Sequence, residues 1–228
     1  MSIELTVNEA RVLGCLMEKS VITPDHYPLT LNSLTNACNQ KSSRDPVMSL
    51  EPGAVQATIR ALQEKRLVRV EENFRTQVEK YTQRLCNTPF SDYQFDPPEF
   101  AIMCVLLLRG PRTPGELRAN SGRLHTFADN AEVLEALNRL MAREGGPLVA
   151  ELPRIAGRRD SEYMHLLSGP IRVRRDSRWA PQPGSGARSA EPQDTRPIVA
   201  ASVEEIEERV ARLEAELAEL RRILAGGD

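Results

Sequence analysis

Apolar residues recur three and four apart at Val7, Ala10, Val12, Leu13, Leu16 and Met17, which predicts a helix through about Lys19. Thr6 and Glu9 stand at capping-box spacing before it, so each side chain can satisfy a free backbone N–H. A loop over 20–28, closed by Pro24 and Pro28, leads to Thr30, which can cap a second helix carrying Leu31, Leu34 and Ala37. Pro52 suits a first helical position, so a third helix is expected from there to Lys65, with Val55, Ile59 and Leu62 on its inner face. Strand-like runs near 67–71 and 77–83 follow, turning around 72–76.

The same pattern then returns. Val133, Leu137 and Leu140 repeat Val55, Ile59 and Leu62 after an interval of 78 residues. Leu148-Val149 repeats the strand start at Leu67-Val68, and Glu162-Tyr163-Met164 repeats the tyrosine-bearing run Glu79-Lys80-Tyr81. Pro97-Pro98 marks the boundary, because prolines end regular structure and stiffen a link. Beyond it, the apolar run Phe100 to Leu108 reads as a buried helix stopped at Gly110-Pro111. Thr113 with Glu116, and Asp129 with Glu132, are further capping boxes. A second ribbon is expected over 148–154 and 162–167, around Gly157-Arg158-Arg159-Asp160. Helices followed by a two-stranded ribbon, twice over, suggest a repeated module.

The last fifty residues differ. From about Ser177 to Ala201 the chain is rich in Pro, Gly, Ser, Ala and Arg, too poor in large apolar groups to offset the entropy of ordering. Ser202 and Glu205 form another capping box, and Val203, Ile206, Val210, Leu213, Leu217, Leu220 and Leu224 then give an unbroken heptad seam. An isolated helix of about 22 residues is marginal in water, so the seam needs a partner. A parallel homodimer would set Arg209 against Glu214, and Glu216 against Arg221, of the other chain. Folding back onto the second module is the alternative.

The expected architecture is therefore mainly α, α+β: two tandem winged helix-turn-helix domains plus a C-terminal coiled-coil helix. Its boundaries are 1–90 for the first domain, 97–176 for the second, 177–201 for a flexible linker and 202–225 for the terminal helix.

Charge qualifies the expectation of a nucleic-acid partner. The formal net charge is −2. Residues 1–90 hold 11 basic and 10 acidic groups, residues 91–180 hold 13 and 12, and the rest 6 and 10. Both modules are near neutral, so local patches must decide any contact with DNA. Aromatics make up 4% of the chain, which argues against a base-stacking surface for single strands. The start lacks the features of a secretory signal and no apolar run reaches 18 residues, so a cytoplasmic protein away from membranes is expected.

Catalytic patterns are not found. Cys15, Cys38, Cys86 and Cys104 are far apart, and His26, His125 and His165 lack metal-ligand spacing, so no metal, cofactor or enzymatic role is expected.

On the third helix, Gln56, Arg60 and Gln63 fall opposite the inner face, and Gln and Arg can make bidentate contacts to adenine and guanine. A solvated helix face is the bland reading, and Ala57 and Glu64 favour it. The loop Asn39 to Arg44 offers amides, hydroxyls and the cations Lys41 and Arg44, suited to phosphate contacts, as is Lys80 on the ribbon. Equally, Asn39, Ser42 and Asp45 can simply shape the turn. The second module carries Arg118, Asn120, Arg123 and His125 in the corresponding region, while Asn130, Glu135 and Asn138 make its third helix a poorer groove reader. Arg154, Arg158, Arg159, Arg172, Arg174, Arg175 and Arg178 form the densest basic stretch, compatible with a phosphate track or with a solvated wing.

The runs Leu13 to Ser20, Thr23-Pro-Asp25, Tyr27 to Asn32 and Leu34 to Pro46, above all Asn36-Ala-Cys-Asn-Gln-Lys41 with Arg44-Asp-Pro46, resemble the bacterial YceH-like family. The resemblance is strong from Leu5 to Arg84 and weaker to about Arg175. It implies two winged-helix domains in a cytoplasmic bacterial protein and no particular activity. His26 stands where a second aromatic is common in that family. The leading expectation is a non-catalytic, regulatory protein that binds double-stranded DNA through its first domain. The alternative is a protein-interaction scaffold of tandem winged helices that binds a protein partner and no DNA.

Overall fold

The computed structural model describes residues 3–73, 78–89, 91–154 and 160–169. Helix α1 (Val7–Ile22) starts at the reciprocal capping box, with the Thr6 hydroxyl accepting from Glu9 N and the Glu9 carboxylate from Thr6 N. It runs one turn past the expected end, because Thr23 caps it through Lys19 O. Strand β1 (Leu29–Thr30) is a two-residue element with no sequence signature of its own. Thr30 then caps α2 (Leu31–Cys38), and Pro52 opens α3 (Pro52–Glu64). The ribbon strands β2 (Val68–Asn73) and β3 (Val78–Gln83) complete an antiparallel sheet of order β1-β3-β2. Leu29 lies opposite Tyr81, and the Tyr27 hydroxyl accepts from Gln83 N at 2.8 Å, which ties the pre-helix loop to β3.

Pro97 and Pro98 do more than separate two halves. They form the first turn of α4 (Pro97–Arg109), capped by Asp96 and Glu99 in the same reciprocal box as α1. The prolines cost no hydrogen bond there, since first-turn N–H groups have no helical acceptor. Next come α5 (Pro114–Ser121), capped by the Thr113–Glu116 box, and α6 (Asn130–Met141). At α6 only half of the expected box forms. Asp129 accepts from Glu132 N, but the Glu132 carboxylate turns to Ala128 N at 2.7 Å and His125 at 3.1 Å. Strands β4 (Val149–Glu151) and β5 (Tyr163–His165) form a separate two-stranded sheet, and Arg112 bridges to Tyr163 beside it. Thus the described residues are mixed α+β with two small open sheets, consistent with a winged-helix-like fold. The expected tip at Gly157 to Arg159, the linker and the heptad helix lie outside the described residues.

One hydrophobic cluster runs through both halves, from Leu5 and Leu13 to Leu137 and Leu167. Its centre is the packing of α1 on α4. Gly14 makes this contact close: a Cβ there would stand 3.0 Å from the Leu108 side chain. The Cys104 thiol sits 3.6 Å from Gly14 O. Polar groups cross the same junction. Arg11, only 2% exposed, donates to Cys38 O, Pro46 O and Leu108 O, joining the end of α2, the following loop and the end of α4.

Arg44 is the second buried guanidinium. Its side chain has no solvent exposure, and it grips Glu18 with two hydrogen bonds of 3.1 and 2.6 Å. Its Nε donates to Ala37 O at 3.0 Å. Ser43, at φ 61°, turns the chain so that the next side chain points inward. Burial by itself raises the Glu18 carboxyl, but the Arg44 hydrogen bonds and charge outweigh it and hold the group below its usual range. Breaking one side of a buried pair strands the other charge. Glu18→Gln is therefore expected to destabilise the protein by about 3–5 kcal/mol in urea unfolding at pH 7.

A second expectation concerns acid. His165 is buried, its Nδ1 has no hydrogen-bond partner, and desolvation pushes the imidazole down to about 4. The unfolded chain takes up this proton near pH 6.5, the folded one only near 4. Stability from this group is complete above about 6.5 and falls with pH below it, by up to about 1.4 kcal/mol per unit. The depressed carboxylates Glu9 and Glu18 add their losses lower, below 4.5. Urea midpoints at pH 7 and 5 should show a decline in the wild type that His165→Gln flattens.

Candidate nucleic-acid interface

Helix α3 is held at both ends and along one side. Val55, Ile59 and Leu62 are 0–1% exposed, and the Thr58 hydroxyl folds back onto Ala54 O. At its C-terminal end, Lys65 donates to Glu4 O at 2.7 Å and to the Glu9 carboxylate at 2.8 Å. The helix thus cannot roll without breaking a contact to the start of α1. The opposite face is left to solvent. Arg60 and Gln63 are exposed and Gln56 is half-buried. None of these three side chains makes a hydrogen bond or ion pair among the described residues. The structure therefore brings Gln56, Arg60 and Gln63 together on one rigid helix face.

The cations around that face fare differently. Lys41 is exposed just after α2 and carries no side-chain partner among the described residues. Lys80 is exposed on β3, opposite Glu71 on β2, whose carboxylate also takes the Thr82 hydroxyl at 3.2 Å. Arg44 leaves the set. An arginine with no exposed side-chain surface, already bonded to Glu18, Ala37 O and Ser43 O, has no exposed donor to offer a phosphate. Asn39 is structural too: its amide clamps Leu50 N and Leu50 O at 2.7 and 2.8 Å, closing the loop between α2 and α3. Asp45 pairs with Arg112 at 2.6 Å.

Sequence reasoning missed Glu79. The Tyr81 hydroxyl donates to it at 2.7 Å, and burial first, then this bond, push the Tyr81 hydroxyl well above its usual range. Arg60 lies close enough to pull the other way. Glu79 and Arg60 thus act on the same hydroxyl in opposite senses, one as its acceptor and one as a nearby cation. The alternating run Glu79-Lys80-Tyr81 gave no sign of this, because Arg60 lies on a different element.

In the second half, α6 buries Val133, Leu137 and Leu140 and exposes Leu134, Glu135 and Asn138. Arg118 and Arg123 are exposed without side-chain partners among the described residues. Asn120 bonds Glu116 O, and His125 packs edge-on against Phe127. Of the dense arginine stretch only Arg154 falls within the described residues, and the dimerisation set Val203 to Leu224 lies outside them. Among those residues no group of three His, Cys, Asp or Glu is placed to hold a metal, and no helix is long and apolar enough to cross a membrane. All four cysteines are free and buried.

Comparison with known proteins gives a consistent family. The family described as a protein of unknown function, DUF480, matches residues 5–158. A UPF0502 protein of Vibrio atlanticus is 48% identical over 224 residues, 98% of each chain. One from Shewanella woodyi is 56% identical over 168 residues, 74% of this chain and 76% of the relative. Another, from Photobacterium profundum, is 44% identical over 227 residues, again 98% of each. None of these names carries a substrate, ligand or partner. With most of its length matched at this level, the chain belongs to the DUF480 family of UPF0502 proteins.

Proposed function

We propose that this protein is a non-catalytic, regulatory DNA-binding protein of the cytoplasm, built from two tandem winged-helix domains over 1–90 and 97–176, the first of which reads duplex DNA. The observation that carries the reading is the face of α3. It offers one guanidinium and two amides, all unpartnered among the described residues, on a helix whose other face is locked into the core. A third helix of this kind, after two helices and before a ribbon, is the element that enters the major groove in helix-turn-helix proteins. Lys41 and Lys80 would stand on phosphates, where contacts set register without reading sequence. The terminal heptads, 202–225, would join two chains. Sedimentation of the full-length chain at micromolar concentration should then give a dimer mass, and a monomer mass removes the dimer.

A scaffold without DNA binding remains the competing reading, and the Glu79 carboxylate on Tyr81, a hydroxyl that Arg60 also acts on, is the observation that favours it. The two separate in one experiment. Fluorescence anisotropy with random duplex DNA should show binding that weakens as salt rises, because phosphate contacts release counterions. Arg60→Ala should cost about 1–3 kcal/mol on a preferred sequence and relax base preference at one position. Lys41→Ala should weaken all sequences alike and lower the salt slope by about 0.9. If the wild type shows no salt-sensitive binding even at low ionic strength, the DNA reading is lost and the scaffold stands.

A further inference from the structure

The two halves meet through equivalent residues. The capping boxes Thr6–Glu9 and Asp96–Glu99 align α1 with α4 and make Gly14 the counterpart of Cys104. These two residues touch each other, the Cys104 thiol lying 3.6 Å from Gly14 O. A position meeting its own counterpart is the mark of a two-fold, isologous contact. Next to this contact, Gly14 packs closely against Leu108, four residues beyond Cys104.

The segments leading into the helices exchange in the same way. Glu4 and Leu5, before α1, pair with Ser168 and Leu167, after β5; Leu5 N donates to Leu167 O at 2.7 Å. Tyr93, before α4, pairs with Cys86 and Asn87, after β3; Asn87 N donates to Tyr93 O at 2.9 Å. Each half's leader lies on the other half's exit. The first bridge is antiparallel and the second parallel, so the correspondence is one of position and not of strand direction. The sheets correspond as well, with Arg112 beside Tyr163 as Leu29 is beside Tyr81.

On this correspondence α3 and α6 are equivalent helices. The buried triads Val55, Ile59, Leu62 and Val133, Leu137, Leu140 superimpose in spacing, so Gln56, Arg60 and Gln63 match Leu134, Asn138 and Met141. The N-caps Thr30 and Thr113 align α2 with α5 and put Arg123 at the place next to Lys41's counterpart. Both cations are exposed and free of side-chain partners among the described residues.

Resting on the DNA reading above, we propose that a single chain presents α3 and α6 as two unequal reading heads to one DNA duplex, as a two-fold dimer presents two equal ones, with Lys41 and Arg123 on the backbone of the two half-sites. Two-fold helix-turn-helix dimers bind half-sites about one helical turn apart, or multiples of it. Here the half-sites differ. Arg60 and the two glutamines suit guanine and adenine edges, whereas Asn138 and Leu134 suit adenine and the thymine methyl while the exposed Glu135 beside them opposes phosphate, so α6 is the weaker head.

The test is hydroxyl-radical footprinting of the full-length chain on the tightest duplex recovered from a random-sequence pool, with a length of about four helical turns. Two protected patches are expected. Arg123→Glu should erase one and keep the other, Lys41→Glu the reverse, each lowering the salt slope by about 0.9. Both variants should melt as the wild type does, since neither side chain has a partner to lose. If Arg123→Glu leaves footprint and salt slope unchanged, the two-headed inference is overturned and the single-domain DNA reading stands. Absence of any salt-sensitive binding by the wild type overturns both.

Discussion

Two guanidinium groups buried at the α1–α4 junction hold the rest of the structure in place. Arg44 and Arg11 both lie in the interior, and neither can be solvated there. A buried charge is tolerable only when paired and fully hydrogen-bonded. Arg44 meets this through Glu18 and two backbone carbonyls, Ala37 O and Ser43 O. Arg11 falls short of this, with no carboxylate partner and an unbonded Nε among the described residues, but its terminal nitrogens collect carbonyls from Cys38, Pro46 and Leu108, the ends of three separate segments. The long loop between α2 and α3 is therefore fixed from inside. So is the end of α4, whose Leu108 O is shared by Arg11 and Asp45 N. Consequently the two halves are coupled through Leu108 O and the Asp45–Arg112 pair as well as by apolar packing.

That coupling explains why some sequence signals transferred and others did not. Capping boxes are local and were legible: Thr6–Glu9 and Thr113–Glu116 form as their spacing requires. So was the buried triad of each third helix, because helical periodicity needs no knowledge of the partner. Arg44 was misread for the opposite reason. A lone arginine in a run of Asn, Ser and Asp has the composition of a phosphate loop, and its true partner lies 26 residues earlier in α1. Lys41, three residues away in the same loop, faces solvent as expected. Asp96 escaped notice as a cap because Pro97-Pro98 looked like a break, although proline is at home in a first helical turn. β1 is too short for any periodicity.

Glu79 shows how tertiary contact also reshapes a site that was found. The face of α3 was visible from its spacing, but its field was not. Glu79, which takes the Tyr81 hydroxyl that Arg60 also acts on, puts an acid in the neighbourhood of the face and lowers the potential that a phosphate would feel. Glu71, opposite Lys80, acts in the same sense on the ribbon. With acids in the neighbourhood of both cations, any non-specific attraction to DNA would be weak, since such attraction scales with the number of phosphates neutralised.

Weak attraction has a consequence for how such a molecule could still choose a site. Base contacts in the groove are each worth about 1–3 kcal/mol, whereas one isolated head with few phosphate contacts cannot reach useful affinity by itself. Holding a second head rigidly beside the first removes most of the entropic cost of placing it, so even a modest second contact adds to the first. The α1–α4 junction would supply that rigidity, because Gly14 lets the helix backbones close up and Arg11 fastens their ends. The same buried contacts that make the chain one folded unit are thus what a weakly charged two-headed reader would require.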